Sequence, residues 1–332
     1  MKKLFSSNPI LSFILITFSI SFFFWFLPVI FILPKDIGLG TFILGLSGPL
    51  LSAYIITTVN SKAKFRTHSI PIFILVFSLS FIVLLLRMYY TDNGLSDMNG
   101  KMPHLHETGT LAYIIYAISF FILAVNASNA TNKTLKENYL KSFIFEKSKW
   151  KWYLIVILIF PVVRIISFYV GKEFGINITD FLFKPSLLWL IGFFCTFFFF
   201  GGNEEFGWRG FLQKEMQKKY NPLTTALVIS VLWSFWHLPL YYNGIYTTGG
   251  FNDLLPRFLF QVPITIIFTY FYNKSSYSIL SVVILHAMLN NVPKAIGNSY
   301  LVSLIFLCLI CFYFIYNDKM WKKKSFQLVY EK

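Results

Sequence analysis

Three stretches of this chain place ionisable or amide side chains inside apolar sequence. "FFFFGGNEEFGWRGFLQKE" carries Glu204, Glu205 and Arg209; "VLWSFWHLPL" carries Trp233 and His237; "SVVILHAMLNN" carries His286 and Asn290. The other histidines, His68, His104 and His106, fall in polar connections, so both histidines within apolar runs belong to this set. A charge at the centre of a bilayer costs about 3 kcal/mol even on the lenient insertion scales, so such residues are kept for a reason. Carboxylates and imidazoles move protons between a substrate and water. Amides and imidazoles donate to a developing oxyanion. The same residue types also line ion paths through membranes.

Helical spacing sorts these residues into faces. Glu205 and Arg209 are four apart, share a face and can pair. Glu204 is turned about 100° from them and is free to point elsewhere. His286 and Asn290 present two polar tips on one face, and Trp233 and His237 do the same. A lone intramembrane histidine or a single Glu–Arg pair is ordinarily an interhelical contact. The combination of two glutamates, an arginine, two histidines and an asparagine on neighbouring helices points instead to a functional site.

The elements that must position them are membrane helices. Of 332 residues, 56% are apolar, 20% aromatic and only 13% charged, against roughly 25% charged in soluble domains. Apolar runs of about 20 residues recur, and no ten-residue alternating pattern of a barrel is present. The fold class expected is all-α: a polytopic helical membrane protein of about ten transmembrane helices, with the active-site helices bundled around a polar mid-membrane cavity. The spans lie near 8–33, 41–60, 70–90, 109–127, 153–171, 187–212, 222–241, 256–273, 277–291 and 299–317. The first is too long for a signal-peptide core and lacks a small-x-small cleavage site, so it reads as a retained membrane helix. Three parts follow: N-terminal transmembrane helices over 1–152, a core over 153–298 that holds every candidate residue, and a last helix with a basic tail over 299–332.

The net charge of +15 reads as loop lysines rather than as a nucleic-acid surface. With the N-terminus inside, Lys and Arg divide 21 inside to 6 outside, which places both termini in the cytoplasm; the abundance of Phe, Ile, Lys and Asn fits a low-GC bacterial genome, and with it a bacterial cytoplasmic membrane. In that count Arg257 belongs to an outside loop. Cys195, Cys308 and Cys311 sit in apolar runs and read as reduced packing residues; Cys308-x-x-Cys311 has no further ligands for a zinc knuckle.

Depth decides whether the charges lie at the water or inside. At 1.5 Å per residue, His237 lies about 20 Å and His286 about 15 Å from the inner edge. "LLWLIGFFCTFFFF" alone is too short to span. The sixth span is therefore expected to run unbroken through Glu204, Glu205 and Arg209 to Leu212, which brings the glutamates level with both histidines. Gly201, Gly202, Gly207 and Gly210 would let neighbouring helices or a substrate backbone come close.

The order EExxxR, aromatic-xxx-His, HxxxN resembles the CPBP intramembrane proteases, which join the type II CAAX prenyl endopeptidases with bacteriocin-processing and immunity proteins. The resemblance covers roughly residues 187–291 and rests on Glu204, Glu205, Arg209, Trp233, His237, His286 and Asn290. Where the family often has Phe before the second-motif histidine, this chain has Trp233, which keeps an aromatic wall. The resemblance implies an intramembrane endopeptidase acting on a membrane-associated peptide or protein, with the bilayer, not nucleic acid, as its surroundings. The chemistry then assigns Glu204 and His237 to water activation, His286 and Asn290 to the oxyanion, and Glu205 with Arg209 to holding and tuning the site. On these roles, replacement of Glu205 by Gln is expected to be gentler than that of Glu204. No cofactor is required by this scheme. A second scheme makes Glu204, His237 and His286 a zinc set of the His₂Glu kind. Two further readings stand beside proteolysis: a non-catalytic scaffold or immunity protein, and an ion-coupled transporter. The transporter reading calls for internal repeats or paired broken helices, and the sequence shows neither.

Overall fold

A computed structural model describes residues 2–61, 63–92, 103–129, 132, 145, 147–175, 187–243, 245–246, 254–292 and 300–323. The described residues are 84% helical and contain no strand. A short helix α1 (Lys2–Ser7) leads into α2 (Pro9–Ile30). Then come α3 (Lys35–Leu46), α4 (Gly48–Ser61), α5 (Ile70–Asp92), α6 (Thr110–Ser128) and α7 (Trp150–Glu173). Helix α8 (Leu187–Phe198) is followed by a 3-10 turn (Gly202–Glu204) and by α9 (205–217). The set closes with α10 (Pro222–Trp236), α11 (Leu238–Tyr242), α12 (Leu254–Lys274), α13 (Ile279–Asn291) and α14 (Tyr300–Asn317).

Among the described residues, six helices are long and apolar enough to cross a membrane: α2, α5, α6, α7, α10 continued by α11, and α12. The pair α3–α4, bent by 41°, makes a seventh, and α13 and most of α14 are shorter apolar helices. Together with α8–α9, every expected span has a helical counterpart. Local chemistry sets several boundaries. Asn221 caps α10 by accepting from the Thr224 N–H, with Pro222 in the first turn, where its missing N–H costs nothing. Ser278 caps α13 by accepting from the Ser281 N–H. At the end of α5, the Asp92 carboxylate shares a hydrogen bond with His104 Nδ1 (2.7 Å) and accepts from the Leu105 N–H (3.1 Å), which ties the connection to α6.

The sixth span departs from the sequence expectation. It does not run unbroken to Leu212: α8 ends at Phe198 and the chain turns through Gly201 at φ +139°. That left-handed geometry suits a residue without Cβ. Space demands glycine too, because a Cβ at Gly201 would lie 2.6 Å from His286 Nε2. Beyond the turn, Trp208–Gln213 winds as a π-helix, a form that recurs at functional sites.

The expected absence of broken helices is corrected in the same way. The break at Ser47 between α3 and α4 packs against the break at 199–201. Asn203 Nδ2 donates to the Leu46 carbonyl (3.3 Å), an orphan at the end of α3. Gly207 lies so close to Pro49 that a Cβ there would meet its backbone at 2.5 Å. One hydrophobic core joins α2–α6 to α8–α13, so the N-terminal helices buttress the segment that carries the glutamates.

Candidate active site

The two glutamates enter from the turn after Gly201, which points their side chains to different partners. Glu205 faces Arg209 and α13. Arg209 Nη1 donates to both oxygens of its carboxylate (2.9 and 3.1 Å), and both side chains are wholly buried. The guanidinium lies between two aromatic faces, 4.4 Å from the Trp233 ring and 4.6 Å from Phe268, a cation–π clamp in a dry setting. Glu205 Oε1 also meets His286 Nδ1 at 2.7 Å. This second partner was not visible in the i, i+4 spacing.

Glu204 turns to α10. Its Oε2 accepts from the Trp233 indole N–H at 2.9 Å, and the residue is 2% exposed. Trp233 is the hub of the site. Its ring stands 5.5 Å from the His286 ring and 6.0 Å from the His237 ring. Its backbone carbonyl accepts from His237 Nδ1 at 2.6 Å. Glu204, His237 and His286 therefore gather around one indole, as the sequence grouping required.

Their bonding sets the ring tautomers, because a neutral imidazole carries one N–H. His237 spends its N–H at Nδ1 on a carbonyl, so Nε2 is an acceptor. His286 faces a carboxylate already paired with an arginine, so its Nδ1 is the donor. Its Nε2, beside the Gly201 turn, can donate only when the ring carries a second proton.

Position 237 lies at the α10–α11 joint, with its ring tied back to α10 through the Trp233 carbonyl. Trp25 of α2 stacks on it at 6.4 Å with an interplanar angle of 18°. Asn290 sits one turn beyond His286, is exposed, and donates to the Phe200 carbonyl at 3.4 Å. Both polar tips of α13 thus address the break at 200–201. The neighbouring Asn291 is the buried amide, bound to Thr196 Oγ1 (3.0 Å) and the Ala287 carbonyl (2.8 Å).

Arg257 was missed. Counted in an outside loop from the sequence, it lies in the first turn of α12, with Nη2 3.3 Å from His237 Nε2. Its guanidinium carbon is 5.4 Å from the Tyr246 ring centre, and Tyr246 is 5.3 Å from the His237 ring. Neither residue carries a motif or a spacing that would have singled it out.

The proposed zinc set does not fit this arrangement. Among the described residues, ligand atoms of three metal-binding side chains approach within 4.8 Å of one another at Asp92, His104 and His106, not at Glu204, His237 and His286. A guanidinium faces the His237 nitrogen that a metal would need.

Residues 185–292 match a family model described as type II CAAX prenyl endopeptidase Rce1-like. The chain is also similar to CAAX prenyl protease 2 of Methanococcus maripaludis, with 28% identity over 180 residues. That alignment spans 52% of this chain and 66% of the relative. The matched region begins before α8 and ends with α13, so it contains every residue of the cluster around Trp233.

Proposed function

From an Rce1-like core over residues 185–292, we propose that this protein is an intramembrane endopeptidase that hydrolyses a membrane-associated peptide or protein. The observation that carries the reading is the convergence of Glu204, His237 and His286 on Trp233. One oxygen of Glu204 is fixed by the indole, and the other is available to a water. His237 Nε2, an acceptor, orients that water. Glu204 takes the proton as the oxygen attacks the scissile carbonyl. The negative oxygen that forms is held by His286 Nε2 and the Asn290 amide. The proton on Glu204 then passes to the leaving amine, and the C–N bond breaks. In this scheme His286 works as an imidazolium, and Glu205 stabilises it as the buried carboxylate of a catalytic triad does.

The test compares the membrane proteomes of cells carrying wild type or Glu204→Gln. An uncut membrane peptide should accumulate in the variant. Identical proteomes would remove the peptidase reading.

The paired helix breaks favour a second reading, an ion-coupled transporter. It predicts proton or ion flux in vesicles of the purified protein, lost in Glu204→Gln, with no cleavage product. On a non-catalytic scaffold or immunity protein, the same variant would change neither flux nor any peptide.

Three further results are expected on the accumulated substrate. Asn290→Ala should lower turnover by about 10²–10³-fold, as loss of one oxyanion donor does elsewhere, with substrate binding little changed. Asn290→Asp should be at least as damaging, because a carboxylate repels the oxyanion. An Asp variant with near-wild-type turnover that a chelator abolishes would favour the zinc scheme instead. Trp233→Phe keeps a ring against Arg209 and His286 but removes the N–H that fixes Glu204. A hydrogen bond to a charged group is worth about 1.5–3 kcal/mol, so turnover should fall about tenfold or more. Turnover within twofold of wild type would show that the indole only packs.

A further inference from the structure

Away from Trp233, three metal-binding side chains meet where α5 connects to α6. Asp92 is the last residue of α5, and His104 and His106 flank Leu105 at the 3-10 turn Leu105–Glu107 that precedes α6. One carboxylate faces both rings. His104 Nδ1 lies 2.7 Å from Asp92 Oδ1, and His106 Nδ1 lies 3.6 Å from Asp92 Oδ2. The ring centroids are 5.5 Å apart, and ligand atoms from all three side chains lie within 4.8 Å of one another. The cluster is held in place from behind. Both carboxylate oxygens lie 3.1 Å from the Leu105 N–H, and the His104 carbonyl accepts from Thr108 Oγ1 at 2.8 Å.

A hydrogen-bonded tie across the connection needs only one of these rings. Asp92, His104 and the Leu105 N–H already close it, and His106 Nδ1 at 3.6 Å is beyond hydrogen-bond reach. That spacing suits a shared ion instead. Two ligand atoms about 2.0–2.2 Å from a tetrahedral zinc lie about 3.3–3.6 Å apart. The shorter His104 contact has only to widen by about 0.6 Å as an ion replaces the proton between the two atoms.

We propose that Asp92, His104 and His106 bind a divalent transition metal. Two imidazoles and a carboxylate suit Zn²⁺, with water in the fourth position. Each histidine binds through Nδ1. On His106 this leaves Nε2 toward Glu107, whose Oε1 is 4.0 Å away, on the side where a ligating imidazole commonly keeps a carboxylate that orients it. The ion staples the end of α5 to the start of α6. There the Gly109 N–H is tied to the Asp36 carboxylate of α3 at 2.9 Å, so the staple draws three helices of the N-terminal half together. The site shares no residue with the cluster around Trp233 and stands independently of the peptidase reading.

The detergent-solubilised full chain, stripped with a chelator and dialysed, is titrated with Zn²⁺ by calorimetry and with Co²⁺ by visible absorption. One Zn²⁺ per chain should bind with a Kd of about 10 μM or tighter. Zn²⁺ at about 100 times that Kd should raise the thermal unfolding midpoint by about 3–5 °C. Co²⁺ should give the intense visible bands of a four-coordinate ion. The His106 side chain is 72% exposed, so His106→Ala removes a ligand without touching the packing. It should weaken binding by at least about 10-fold. Asp92→Asn, which keeps an acceptor for the Leu105 N–H, should do the same. His68→Ala, in another polar connection, should leave binding unchanged. Absence of binding, affinity unaltered by either His106→Ala or Asp92→Asn, or an equal loss in His68→Ala would overturn the proposal. Binding that survives both ligand variants and is lost in His237→Ala would also overturn it, and would place the metal among the residues around Trp233.

Discussion

Glu204→Gln is expected to fold normally and to turn over at least about 10³-fold more slowly than wild type, within the range that positioned general bases contribute. The side-chain oxygen of Gln can still accept from the Trp233 N–H, now at 2.9 Å from Glu204 Oε2, so the local geometry has no reason to change. What is lost is a group that takes a proton from water and returns it to the amine. The substitution also removes one of two adjacent buried carboxylates, so the thermal unfolding midpoint should not fall. Single-turnover cleavage and a melting curve on the same preparation check both halves. A Gln variant that retains more than a tenth of wild-type turnover would show that another group is the base.

Glu205→Gln is the second large effect, and here the structure changes the expectation. Spacing alone gave Glu205 one partner, Arg209, and implied a gentle loss. The bond to His286 at 2.7 Å makes the carboxylate a positioning residue for the oxyanion donor. A neutral amide no longer stabilises a second proton on the imidazole, and turnover should fall by about 10²–10⁴-fold, the upper end being what the analogous change costs in a serine-protease triad. The single variant also strands Arg209, which is wholly buried; breaking a buried pair costs about 3–5 kcal/mol. The double variant Glu205→Gln/Arg209→Gln separates the two roles. It should recover most of the lost stability and little of the turnover. Normal turnover in the double variant would reduce Glu205 to an architectural role.

Much of this was legible without coordinates, and the reasons are local. Apolar runs of about 20 residues are a requirement of the bilayer on any spanning helix, so the helical segments follow from composition and boundaries. The Glu205–Arg209 pair follows from helix geometry at four residues. The grouping of Glu204, His237 and His286 follows from the cost of placing polar groups in apolar sequence without a purpose.

Tertiary structure decided what depends on contacts between helices. The turn at Gly201 could not be read from the glycine alone, since glycine also serves helix packing; it is the His286 ring against that backbone that requires it. Trp233 read as an aromatic wall, and only the fold brings its N–H to Glu204, 29 residues away in the chain. Arg257 read as a loop charge, because sequence reports distance along the chain and not which neutral nitrogen a guanidinium meets 20 residues away. Sequence by itself determined which side chains are too polar for their surroundings. Only the packing of α9, α10, α12 and α13 decided which of them touch, because hydrogen bonds act over about 3 Å and no periodicity within one helix fixes the rotation of its neighbour.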